Sequence, residues 1–267
     1  TDHAHNRQHV VAANEGGAIA LAAGHYLASG EYALVYMQNS GLGNAINPLL
    51  SLADPEVYGI PMMLMIGWRG EPGHPDEPQH VKQGRVTLNL LQAMEIPYVI
   101  LDASNSQWRD LVISACCQMK KRQGPVAIVV RAGAFAAYES INNDEDIDCL
   151  TREQAIGIVL DSIDNRDILV STTGKTSREL FELREARGQE HGLDFLTVGS
   201  MGHSSQIALG IALQKSEQQV ICLDGDGAVL MHAGALAIIG QMAPTNLKHI
   251  VINNEAHDSV GGQPTAS

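Results

Sequence analysis

Short runs of β-branched and aliphatic residues recur along the chain, separated by stretches long enough for a helix. The runs are HVVAA at 9–13, YALVYM at 32–37, MMLMI at 62–66, PVAIVV at 125–130, DILVS at 167–171, QVICLD at 219–224 and HIVIN at 249–253. Strands alternating with helix-length segments predict an α/β protein whose parallel sheets are covered by helices on both faces. Two of the intervening segments, 16–29 and 204–213, are rich in alanine, glycine and serine, which suits helices that pack closely. The pattern breaks once: YESINNDEDID at 138–148 is acidic and without periodicity. The expected organisation is therefore a first domain over 1–137, an acidic linker over 138–150 and a second domain over 151–267. Thr151 and Gln154 have the spacing of a capping box and predict the first helix of the second domain. Each half offers fewer strands than such a sheet wants, and the chain stops at the loop-like GGQPTAS. Both domains are accordingly expected to be incomplete, the first at its N-terminal side and the second at its C-terminal side.

Composition narrows the partners. With 45% hydrophobic and 18% charged residues and 26 glycines, the chain is globular rather than disordered. No apolar run reaches membrane-spanning length, and TDHAHNRQH lacks a signal-peptide core, so no membrane partner and a cytoplasmic location are expected. A net charge of -13 with only 17 Lys and Arg argues against nucleic acid, which needs a basic face. Cys116, Cys117, Cys149 and Cys222 show no C-x-x-C spacing and are expected to be reduced and mostly buried. An anionic ligand would then depend on local help from a metal ion or a helix N-terminus.

Such help is legible in LDGDGAVLMHAGALAIIGQMAPTNLKHIVINN, residues 223–254. Asp226 follows one strand and Asn254 the next, and the 25 residues between Gly227 and Asn253 allow one crossover helix. Ligands of open parallel sheets bind beyond the carboxyl ends of the strands, so both side chains can reach one crevice. A carboxylate and an amide oxygen suit a hard cation such as magnesium, which completes its shell with phosphate and water. Gly225 and Gly227 let the backbone approach a phosphate, and a helix beginning beyond Ala228 would add amide dipoles. Singly, GDG and NN are ordinary turns. Together, at this spacing, they resemble the motif of thiamine diphosphate enzymes. That resemblance implies magnesium held by Asp226, Asn254 and the carbonyl of Ala256. Glu255 departs from the small or turn-forming residue expected between them.

The rest of the chain extends the likeness. In AANEGGAIALAAGHYLASG, Glu15 stands after a predicted strand and at the start of a helix. In the family, a glutamate so placed hydrogen-bonds the cofactor's aminopyrimidine and helps drive loss of the C2 proton. In TVGSMGHSSQIALGIAL, the carbonyl of Gly199 would accept from the amino group and Met201 would wedge the cofactor into its bent form. The phrases TTGKTSRELFE, NNEAHDSVGGQPT and NSGLGNAINPLLSLADPEVYGIPMMLMIGWRGEPG are similar to those of phosphonopyruvate decarboxylases, with sulfopyruvate decarboxylases the nearest relatives. The resemblance implies two thiamine diphosphate-binding domains, one for the pyrimidine and one for the diphosphate. It also implies decarboxylation of a small anionic 2-oxo acid, 3-phosphonopyruvate, to phosphonoacetaldehyde, and a homodimer or higher oligomer with the site at the subunit interface. His80 and His257 are the preferred catalytic partners of the substrate. Arg69, Lys82 and His203 are further cations, with Lys175 more remote. Alternatives are a sulfopyruvate decarboxylase, a carboligase of the acetolactate synthase type, for whose extra middle domain the short linker leaves no room, and a non-catalytic metal- or nucleotide-binding domain that would not require Glu15.

Overall fold

The computed structural model describes residues 9–136, 150–257 and 262–266. The chain divides into two compact units, one of Asn14–Ile141 and the other of Asn142–Ser267 grouped with Thr1–Ala13. The acidic linker expected at 138–150 lies, but for Leu150, outside the described residues.

The first unit runs α1 (Glu15–Ser29), β1 (Leu34–Gln38), α2 (Leu42–Pro48), β2 (Met63–Gly67), α3 (Pro78–Ala93), β3 (Tyr98–Leu101), α4 (Trp108–Arg122) and β4 (Val126–Val130). Its sheet is parallel throughout, in the order β1-β2-β4-β3. Every residue of the central β4 is buried, because alternate side chains enter different cores. Ala127 and Val129 pack with Ile19, Leu42 and Leu91 of the helices on one face, whereas Val126, Ile128 and Val130 meet Ala115 and Met119 of α4 on the other.

The second unit runs α5 (Arg152–Ser162), β5 (Ile168–Ser171), α6 (Lys175–Arg187), β6 (Asp194–Leu196), α7 (Ser204–Gln214), β7 (Val220–Gly225), α8 (Asp226–Met231), α9 (Gly234–Met242), β8 (Leu247–Ile252), β9 (Ala256–His257) and β10 (Gln263–Pro264). The capping box at Thr151 is formed in both directions. The main sheet is again parallel, in the order β6-β5-β7-β8. Leu169, Ile221 and Leu223 pack on α5 and α6, and Val170, Val220 and Cys222 on α7. After β5 the chain steps outward to β6, then returns across β5 to β7. The carboxyl ends of β5 and β7 therefore flank a topological switch point, where such sheets open a crevice.

Several expectations need correction. Residues 9–13 form no strand: nothing among the described residues pairs with them, and Val10 is exposed. Strands β3 and β6 complete four-stranded sheets that the apolar pattern left short. The crossover to β8 holds two helices, α8 and α9, instead of one, and α8 begins at Asp226 itself rather than beyond Ala228. Of the described cysteines only Cys222 is buried, its thiol pushed up to about 12 by burial and by Asp224. Among the described residues no helix is long and apolar enough to cross a membrane.

One ion pair pins α6 to β6. Arg184 donates through Nε and Nη2 to Asp194 at 2.7 and 2.8 Å, and the Asp194 side chain is 1% exposed. Arg184→Met leaves that carboxylate buried without its cation, so stability is expected to fall by about 3–5 kcal/mol, read as a lower denaturant midpoint.

Candidate active site

The crevice is built around the end of β7. Gly225 is extended at the N-cap of α8, and Asp226 is the first helical residue. There the free N–H groups of the opening turn favour a negative charge. Asp226 is nevertheless only 6% exposed. Behind it, Asp224 accepts from the Gly225 amide at 3.0 Å and lies 3.1 Å from His249 Nε2, which fixes the peptide leading into the turn.

The opposite lip follows β8. Asn253 accepts the Glu255 amide at 2.9 Å and Asn254 that of Ala256 at 3.4 Å. Glu255 has φ +55°, the left-handed conformation that glycine and asparagine adopt most easily. This explains why a small or turn-forming residue was expected there. The chain then turns back through β9, which pairs antiparallel with β10.

The resulting crevice is shallow and open to solvent. It gathers Gly225, Asp226, Gly227, Ala228, Asn254, Ala256, His257 and Met201. Gly199 lies half-buried in the loop between β6 and α7, outside that lining. The facing wall was not anticipated. It is formed by Thr172, Thr173, Lys175 and Thr176 at the β5–α6 junction, with Arg152 from α5. Lys175, expected to be remote, is thus part of the crevice. Arg152 is engaged by both carboxylate oxygens of Glu179 at 2.8 and 2.7 Å. Thr172 Oγ1 is buried without a hydrogen-bond partner, an arrangement that has a cost unless a ligand completes it. The available signal was TTGKTS itself, a strand end followed by a glycine at φ +94° and a helix start, the setting in which backbone amides and a lysine meet phosphate.

These donors fit a metal diphosphate. One wall brings together three oxygen-bearing groups (the Asp226 carboxylate, the Asn254 amide and the Ala256 backbone) beside the His257 imidazole, and an oxygen set matches magnesium. The other offers an unpaired hydroxyl, a lysine and the N-terminus of α6, which match phosphate oxygens.

In the first unit, Asn14 caps α1 by accepting the Gly17 amide at 2.8 Å, and Glu15 follows as the first helical residue. Its Oε2 accepts from Asn44 Nδ2 at 2.9 Å. Its other oxygen lies over Gly41 so closely that a Cβ there would come within 2.1 Å. His80 lies on α3 with Nδ1 3.4 Å from Gln83 Oε1. Arg69 is held by Asp76, which accepts from its Nε and Nη2. That guanidinium, with the amides of Gly70 and Glu77, keeps the Asp76 carboxyl far below the usual range. Arg69 therefore anchors its own loop. Lys82 is exposed on α3, and His203 precedes α7, tilted against His232 at 4.4 Å between ring centroids.

Comparison with known proteins agrees with this geometry. Residues 172–267 match the C-terminal TPP binding domain of thiamine pyrophosphate enzymes, and residues 1–92 the N-terminal TPP binding domain. The chain is 35% identical over 276 residues to a phosphonopyruvate decarboxylase of Streptomyces viridochromogenes, covering 97% of this chain and 67% of that one. It is 35% identical over 282 residues to the phosphonopyruvate decarboxylase of Streptomyces hygroscopicus, covering 97% and 66%. A sulfopyruvate decarboxylase of Methanosarcina acetivorans is 31% identical over 277 residues, covering 95% and 68%. The chain thus spans about two thirds of the length of these relatives. With two thiamine pyrophosphate-binding domains in order and an oxygen-lined crevice at the switch point of the second, the chain belongs to the thiamine pyrophosphate enzymes, in the branch of the phosphonopyruvate and sulfopyruvate decarboxylases.

Proposed function

We propose that this protein is a cytoplasmic, thiamine diphosphate- and magnesium-dependent decarboxylase that converts 3-phosphonopyruvate to phosphonoacetaldehyde and carbon dioxide, a step of phosphonate biosynthesis. The observation that carries the reading is the crevice, in which Asp226, Asn254 and Ala256 face Thr172 and Lys175. Asp226, Asn254 and the Ala256 carbonyl would hold the metal, and Thr172 and Lys175 the diphosphate. Gly225, Gly227 and Ala228 would form the floor beneath it, with Gly199 and Met201 toward the aminopyrimidine. When bound, thiamine diphosphate supplies a nucleophilic carbon and the electron sink that takes up the pair released as carbon dioxide leaves. The chain contributes a proton held at Glu15 and imidazoles, His80 and His257, for the anionic substrate and for protonating the carbon that loses carboxylate.

The site would lie between subunits of a homodimer or higher oligomer, Glu15 of one protomer serving a cofactor held by the second unit of another. Exposed apolar residues support such an assembly: Leu21 and Leu27 on α1, and Leu236, Ile238 and Met242 on α9.

Carbon dioxide release from 3-phosphonopyruvate and from 3-sulfopyruvate, each with and without magnesium and cofactor, tests the proposal. Release from the phosphonate that depends on both additions is expected. A clear preference for the sulfonate supports the second reading, favoured by the Methanosarcina relative. Release from neither overturns both.

A further inference from the structure

We infer that the β9–β10 hairpin clamps the Gly225–Asp226–Gly227 turn and that Thr265 is a positioning residue for the Asp226 carboxylate; this rests on the proposal that Asp226 is a metal ligand. Thr265 Oγ1 donates to Asp226 Oδ2 at 2.5 Å across 39 residues of sequence. A hydroxyl on an ionised carboxylate makes a short, charge-assisted bond of this length. Thr265 reaches Asp226 because the hairpin carries it there: Gln263 pairs with His257 and Pro264 with Ala256, and the Thr265 amide donates to the Glu255 carbonyl at 2.9 Å.

Gly227 is the floor on which the hairpin closes. A Cβ on it would come within 2.8 Å of His257 Nδ1 and 3.5 Å of Thr265 Cγ2, so β9, through His257, and the residue that follows β10 both rest against the glycine. The same segment therefore supplies a proposed metal ligand, the Ala256 carbonyl, and orients another, Asp226. Orientation matters because the terminal torsion of an aspartate is broad and roughly two-fold. Each fixed partner of the carboxylate lowers the ordering left to be done when the metal binds. The Thr265 bond contributes such order beforehand, and loss of an outer partner typically lowers metal affinity by about 10–100-fold.

The test uses Mn²⁺ as probe, with free thiamine diphosphate present, and reads metal binding by electron paramagnetic resonance without any turnover. Thr265→Val keeps the shape and removes the donor; Thr265→Ser keeps the donor. Weakening of Mn²⁺ binding by about 10–100-fold in the valine variant and recovery in the serine variant are expected, with the metal-free proteins still unfolding cooperatively. Wild-type affinity in Thr265→Val, while Asp226→Ala loses binding, overturns the positioning role and leaves the metal site standing. Equal weakening in Thr265→Ser and Thr265→Val points to packing and also overturns it. Undiminished binding in Asp226→Ala removes the metal-site proposal, and the role of Thr265 with it.

Discussion

Asp226→Ala is expected to weaken magnesium-dependent thiamine diphosphate binding by about two orders of magnitude or more, or roughly 2.7 kcal/mol. Asp226 would supply the full negative charge among the three proposed oxygen donors, the others being the Asn254 amide and the Ala256 carbonyl. A hard dication bridging a diphosphate draws most of its protein affinity from such a charge. Asp226 is only 6% exposed, so little solvent is at hand to replace the lost ligand. Folding should survive, since the substitution removes a buried charge instead of stranding one. Asp226→Asn separates the contributions: it keeps the shape and an oxygen ligand, so its defect reports the charge. Calorimetric titration of cofactor in the presence and absence of magnesium measures both, and binding equal to wild type in Asp226→Ala would remove the assignment.

The place of Asp226 on the backbone could be read from the chain because the elements on either side of it are local. A buried strand, a glycine on either side and a following helix are all encoded within a dozen residues. The central strands β4 and β7 were visible for the same reason, since burial on both faces demands continuous apolar runs. Strand β6 was not, because three residues, Asp194–Leu196, at a sheet edge carry too little pattern. Residues 9–13 erred the other way: two valines have strand propensity, but a strand exists only where another pairs with it. Long-range pairings account for what the site reading lacked. The TTGKTS loop faces Asp226 because β5 and β7 are neighbours, and Thr265 reaches it because a hairpin turns back. Neither relation has a period. Sequence could also rank Arg69 as a free cation, because only the fold brings Asp76 against it.

Glu15→Gln is expected to preserve folding and part of the cofactor affinity while slowing exchange of the cofactor's C2 proton by about a hundredfold or more, the usual scale of a lost acid–base contribution. The surroundings of Glu15 suit a side chain held for one task. Its Oε2 accepts from Asn44, and its carboxylate lies against Gly41, where any larger residue would displace it. Glutamine can keep the Asn44 contact through its amide oxygen and fill the same space, so the cap at Asn14 and the start of α1 should persist. What it cannot do is exchange a proton with a ring nitrogen. Exchange followed by NMR in deuterated water isolates that step from substrate binding, and a wild-type rate would reduce Glu15 to a helix-start residue whose charge merely suits the dipole. The variant also tests the shared site. Chains carrying Glu15→Gln and chains carrying Asp226→Ala are each expected to be defective alone. If one protomer's Glu15 serves the cofactor held by another, subunit exchange between them regenerates sites with both residues intact, and turnover returns in the mixture. Continued inactivity after verified exchange would mean that each chain completes its own site, leaving the apolar faces of α1 and α9 to serve assembly alone.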